Sequence, residues 1–206
     1  MLSTALTGAL IALSFAAPPG PVAMETVRRG LRGGFQQALR VQFGSILGDL
    51  FWCLAALIGL APIMQVNWIR GALGVAGVAV LLYLGVAGLR DAWKLPALEL
   101  EKTLAPSGAF RSGLWISFAN PMAVGYWLGI GGALTAAEVI GQSLPQTLEF
   151  VGGFVAAVLG WSFVMAGLVR WGRALITPTI YRWVSLACGL TLIGFGMMLG
   201  GQLLKG

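Results

Sequence analysis

Ser14-Phe15-Ala16-Ala17-Pro18-Pro19-Gly20-Pro21 sits inside an apolar run that begins near Leu2, and it breaks any helix that run would form. Its prolines and glycine remove backbone donors and forbid a regular i to i−4 ladder. Water would hide such a defect, but hydrocarbon cannot. Irregular backbone at membrane depth must be buried in protein or line a wet cavity. A related stretch, Ser117-Phe118-Ala119-Asn120-Pro121, recurs at an offset of about 103 residues. Pro-interrupted apolar segments at matching places in two halves of a chain point to a transporter's binding site.

Composition agrees. Of the 206 residues, 58% are hydrophobic and 10% charged, against about 45–50% and about 25% for soluble chains, and mean hydropathy is +0.87. This is the balance of an all-α integral membrane protein. Its 31 glycines suit helices that must pack closely without a hydrophobic force between them. The net charge of +6 is no nucleic-acid footprint, because the basic residues lie in short runs between apolar segments. The chain has no His, which removes the commonest metal ligand and the usual near-neutral proton carrier. No metal site and no cofactor are predicted, and proton coupling falls to carboxylates. Cys53 and Cys188 lie in different apolar segments without C-x-x-C spacing and read as packing residues. No Lys or Arg precedes Arg28, so the N-terminal run reads as a mature first helix rather than a signal peptide.

Six segments are long enough to span a bilayer, near residues 3–25, 36–61, 68–90, 111–136, 147–170 and 178–204. Trp68, Trp93, Trp171 and Trp183 fall at segment ends, where an amphipathic ring suits the headgroup level. Eleven of the 13 basic residues lie in the first, third and fifth connections, leaving Arg70 and Lys205 opposite. The positive-inside rule therefore puts the odd connections in the cytoplasm and both termini outside. Residues 91–109 read as a cytoplasmic linker between a first repeat, about 3–90, and a second, about 110–204, within a single transmembrane domain. Leu47-Gly48-Asp49-Leu50-Phe51 parallels Leu159-Gly160-Trp161-Ser162-Phe163 at an offset of about 112, which also sets Arg70 on Arg182 and Gly77 on Gly189. Three spans per half make the repeats inverted. The expected fold is six transmembrane helices as two inverted three-helix repeats, with Pro-broken first and fourth helices.

The polar residues inside the spans carry the chemistry. A charge at mid-span costs about 2.5–3.5 kcal/mol on insertion scales, so Asp49 is a functional hypothesis by default, here as the proton-coupling group. Gln42 and Ser45 precede it by seven and four residues and share its helix face. Pro18, Pro19, Gly20 and Pro21 free carbonyls that suit an ammonium, and the restarted half-helix offers amides that suit a carboxylate. Asn120, before Pro121, adds an amide with donor and acceptor. Trp161, where the repeat has Asp49, offers a ring for a cationic substrate or packs against lipid. Glu25, close to Arg28 and Arg29, reads as a solvated ion pair rather than a cytoplasmic gate. Gly44 with Gly48, Gly125 with Gly129 and Gly196 with Gly200 form small-x-x-x-small faces, for packing within the monomer or in a homo-oligomer.

Pro19-Gly20-Pro21, Arg29-Gly30-Leu31-Arg32-Gly33-Gly34-Phe35, Gly48-Asp49, Tyr83-Leu84-Gly85 and Asn120-Pro121 together resemble the lysine-exporter (LysE/RhtB) superfamily of amino-acid efflux proteins over nearly the whole chain. The family's commonest form has Asn directly after Pro-Gly-Pro, where this chain has Val22. The resemblance implies export of small amino acids or related zwitterions from a bacterial cytoplasmic membrane, in exchange for protons. The alternatives are a divalent-cation exporter of the same fold and a membrane thiol-disulfide relay. The topology has a direct check: single cysteines placed at Thr103 and Ser143 should react with an impermeant reagent from opposite faces of an intact membrane. Reaction of both from one face would exclude the alternation of six spans.

Overall fold

The helices are set by where the chain can and cannot cap, continue and restart. The structure, a computed structural model, describes residues 3–18, 20–57, 67–94, 106–120, 123, 126–127, 143–173 and 177–203. Within these the elements are α1 (Thr4–Ala16), α2 (Pro21–Leu57), α3 (Asn67–Lys94), α4 (Pro106–Phe118), α5 (Leu144–Arg173) and α6 (Pro178–Leu203). Ser3 caps α1 by accepting from the Leu6 amide at 3.2 Å, and Ser143 and Thr177 do the same for α5 and α6. Each thereby satisfies one of the amides that a helix start leaves without a partner. α1 closes with the Ala17 amide on the Leu13 carbonyl at 2.9 Å, and α2 restarts with Met24 on Gly20 at 3.0 Å. Pro21 is the first residue of α2, where its missing N–H costs nothing. α4 ends at Phe118, followed by a tight turn in which the Asn120 amide reaches the Ser117 carbonyl at 3.3 Å. Pro19 and Pro121 lie outside the described residues.

Residues 26–35, expected as part of a loop between the first two spans, are instead helical apart from Gly34 (φ 74°, ψ −166°). Charges at i, i+3 and i+4 carry the helix through this region, and only at Gly34 does the backbone enter the left-handed region that glycine permits without steric cost. The half-helix 21–33 is thus bounded by a break at each end.

Among the described residues, glycines bring three helix pairs into close approach. A Cβ at Gly8 on α1 would overlap the Phe150 carbonyl of α5, and one at Gly153 the Ala5 carbonyl; on the other side, a Cβ at Gly113 of α4 would overlap the Val41 carbonyl of α2, and one at Gly44 the Phe110 carbonyl. α2 beyond Gly34 runs parallel to α4, since Gly44 lies by Phe110 and Gly48 by Ser117. α3 and α6 run antiparallel, with Gly74 against Leu203, Gly77 against Leu199 and Gly85 against Gly189. Gly44 and Gly48 therefore pack within the monomer. In lipid the buried apolar side chains gain little by leaving their surroundings, so close backbone approach and dispersion hold the helices together.

One buried cluster gathers Ala12, Trp52, Trp127, Phe150, Phe154 and Val158, a second Leu31, Ala166 and Tyr181, and a third Leu81, Leu84, Ile116 and Leu192. The outside is apolar too: Val75, Phe163, Leu168 and Met197 are exposed. Trp93, Trp171 and Trp183 project outward, and the Arg182 guanidinium lies 5.3 Å from the centre of the Trp93 ring. Among the described residues Pro21–Leu57, Leu144–Gly172 and Thr179–Gly201 are long and apolar enough to cross a bilayer, while Thr4–Ala16 and Gly74–Arg90 are shorter apolar helices.

The glycine crossings are testable. Overpacking costs about 1–3 kcal/mol where neighbours can adjust, and a methyl at Gly113 meets backbone that cannot. Gly113→Ala should lower the unfolding temperature of the detergent-purified protein. Gly152→Ala, with nothing within 4 Å of the new Cβ, should leave it unchanged or slightly raised.

Candidate functional site

The break between α1 and α2 opens onto a cavity of about 90 Å³, several times the space one water needs. Ala16, Ala17, Pro18, Gly20 and Pro21 form one wall and Gln42, Ser45 and Asp49 the opposite one. Trp161 and Met165 of α5 close a third side, and Phe15 and Val22 complete the apolar part. The face shared by Gln42, Ser45 and Asp49 arises from their spacing of three and four residues on one helix. Asn120 is not among the described residues that line the cavity. It sits beyond the end of α4, one turn past the residue that reaches Asp49.

Asp49 is buried, 6% exposed, yet held by hydroxyls on two helices. Ser45 donates to Oδ2 at 3.2 Å, and Ser117 of α4 donates to Oδ1. Close by, the Trp52 indole N–H donates to the Phe118 carbonyl at 3.1 Å, satisfying one of the last carbonyls of α4. On the side of α1, the Tyr126 hydroxyl donates to the Ile11 carbonyl at 2.9 Å and meets the Ser14 hydroxyl at 2.7 Å. Gln42 donates to the Thr26 hydroxyl at 2.9 Å, and Thr26 donates to the Val22 carbonyl at 2.7 Å. Sequence reading identified the α2 stripe and missed these partners. Ser117 had a signal, as a hydroxyl inside an apolar segment; Thr26 had none, lying beside charges that read as a loop.

The expectation of a solvated Glu25 ion pair does not hold. Glu25 is fully buried, with Arg28 4% exposed. Arg28 donates through Nε to Oε2 at 2.9 Å and through Nη2 to Oε1 at 3.0 Å, and Arg29 adds its Nε to Oε1. The reason is the helix through residues 26–33, which turns Glu25 inward and lays the Arg28 stem against Gly88 of α3. Cys53 and Cys188 are both buried free thiols, Cys53 being packed in the cluster of Trp52 and Trp127. Because removing one partner strands buried charge, Glu25→Gln should cost about 3–5 kcal/mol, read as a lower unfolding temperature and less protein in the membrane.

The chain is similar to known proteins over its length. It is 39% identical over 206 residues to the chemotactic transduction protein ChpE of Pseudomonas aeruginosa, with 100% of both chains covered. It is 29% identical to the putative amino acid efflux protein YcgF of Bacillus subtilis, covering 95% of this chain and 94% of the relative. It is 26% identical to the arginine exporter protein ArgO of Pectobacterium carotovorum, with 97% of each covered. No solved structure matches. The family of LysE type translocators matches residues 13–202, and the chain belongs to this family of bacterial membrane transporters, which are not enzymes.

Proposed function

We propose that the chain exports small amino acids or related zwitterions across the bacterial cytoplasmic membrane, driven by protons that Asp49 carries. The observation that bears most weight is the buried Asp49, held between α2 and α4 and facing a cavity whose opposite wall is broken backbone. Carbonyls freed at the end of α1 suit the ammonium of a zwitterion, and the amides that open α2 suit its carboxylate. The names of the efflux and exporter relatives support the substrate class. In this reading Pro18 and Pro21, with Pro19 and Pro121, keep the backbone irregular at the site, while Asn120 and Trp161 help to orient the ligand.

Alternating access is served by two inverted halves, and the helix crossings support that arrangement. Gly8 faces Phe150 and Phe154 as Gly113 faces Val41 and Ser45, and Gly153 faces Ala5 as Gly44 faces Phe110. Gly85 and Gly189 each face the other's carbonyl. Exchanging the halves therefore carries every one of these contacts onto another. This register favours Trp161 as the counterpart of Trp52 rather than of Asp49, and Gly85 rather than Gly77 as the counterpart of Gly189. Both termini lie outside in this arrangement, with the basic connections in the cytoplasm.

Asp49 takes a proton from outside as substrate leaves and releases it inside when the site reopens to the cytoplasm. Asp49→Asn keeps the shape and removes the titration. Efflux driven by an imposed pH gradient in vesicles should fall to background, while equilibrium exchange of labelled substrate persists. Gradient-driven rates equal to wild type would sink the assignment and leave Asp49 a packing residue.

A further inference from the structure

Thr26 does not line the cavity, yet its single proton determines what the cavity offers. Thr26 is fully buried and spends that proton on the Val22 carbonyl at 2.7 Å. Toward Gln42 it can then only accept, and the Gln42 amide nitrogen donates to it at 2.9 Å. This fixes which way the amide lies. Its carbonyl oxygen is 3.5 Å from the Ser162 hydroxyl, whose one proton goes to the Val158 carbonyl at 2.7 Å. A hydroxyl carries one donor hydrogen, so the longer contact lacks a proton and the Gln42 oxygen keeps its accepting capacity. Ser45 likewise spends its proton on Asp49. Asp49 and the Gln42 oxygen therefore keep acceptor capacity on α2, while Gln42 has already given one of its two N–H donors to Thr26.

We infer that Thr26 is a positioning residue: by holding Gln42 by its nitrogen, it leaves the amide oxygen as an acceptor beside Asp49, so that the α2 side of the cavity favours a ligand by its ammonium group. An ammonium has three donors and no acceptor, so it can bond Asp49 and Gln42 together. A ligand group that only accepts is left with the second Gln42 N–H alone. The Trp161 ring beside it adds a surface on which a cation gains attraction. This inference rests on the cavity being the transport site, and its test separates the two.

Inverted membrane vesicles containing the chain would be given labelled L-leucine and, separately, labelled L-arginine. Uptake would be competed with leucinamide, which keeps the ammonium and lacks the carboxylate, and with N-acetyl-L-leucine, which does the reverse. Wild type should be inhibited by leucinamide at about tenfold lower concentration than by N-acetyl-L-leucine, the scale of one hydrogen bond to a charged group. Thr26→Val should bring the two concentrations together, because the amide is then free to turn, and Thr26→Ser should restore the difference. Gln42→Met removes the acceptor and should also abolish the preference, which keeps the test decisive if Thr26→Val does not insert. A preference unchanged in Thr26→Val, or in Gln42→Met, would overturn the positioning role while leaving the transport site in place. Uptake of neither labelled probe by wild type, or uptake indifferent to Asp49→Asn, Gln42→Met and Thr26→Val alike, would remove the cavity as the site and this inference with it.

Discussion

Backbone groups at the break between Ala16 and Pro21 must be satisfied where a bilayer supplies no water, and much of the surrounding structure answers that demand. Prolines remove donors there, leaving carbonyls of the last turn of α1 without helical partners. Tyr126 ties down the end of α1 by bonding the Ile11 carbonyl and the Ser14 hydroxyl. At the end of α4 the Trp52 indole caps the Phe118 carbonyl. The break itself lines the cavity through Ala16, Ala17, Pro18 and Gly20.

Holding such a break open requires the neighbouring helices to come very close, and glycine provides that closeness. At Gly8, Gly44, Gly113 and Gly153 a side chain would occupy the space of a carbonyl on the next helix. These four positions fix how α1 lies on α5 and how α4 lies on α2, and therefore how Asp49 meets Ser117. The carboxylate is reached from α4 only because Gly48 lets Ser117 approach. Packing and chemistry at this crossing are one arrangement.

How much of this could be read from sequence follows from the range of the interactions involved. The stripe of Gln42, Ser45 and Asp49 depends on helix period alone, and it was legible. The end of α1 at Ala16 and the start of α2 at Pro21 also fall beside the prolines that the sequence displays. Glu25 was misread because its burial depends on α3, which the chain reaches some sixty residues later at Gly88, and because Gly34, the one residue out of helical geometry, was hidden among other glycines. The partners of Asp49 and Gln42 were not legible either. Ser117 and Thr26 reach them across the bundle, and no local pattern records which hydroxyl spends its proton where.

The two glycine crossings are alike in geometry and unlike in content. Where α4 meets α2, Ser117 bonds Asp49 and the site is polar. Where α1 meets α5, Ala12 and Val158 belong to an apolar cluster with Phe150 and Phe154. A carboxylate in hydrocarbon is expensive to insert, and a second one would add its own cost and repel the first across a short distance of low dielectric. With a carboxylate at one crossing alone, the bundle avoids that second cost. The other crossing is left free to serve as packing, and α5 supplies the cavity only with Trp161 and Met165.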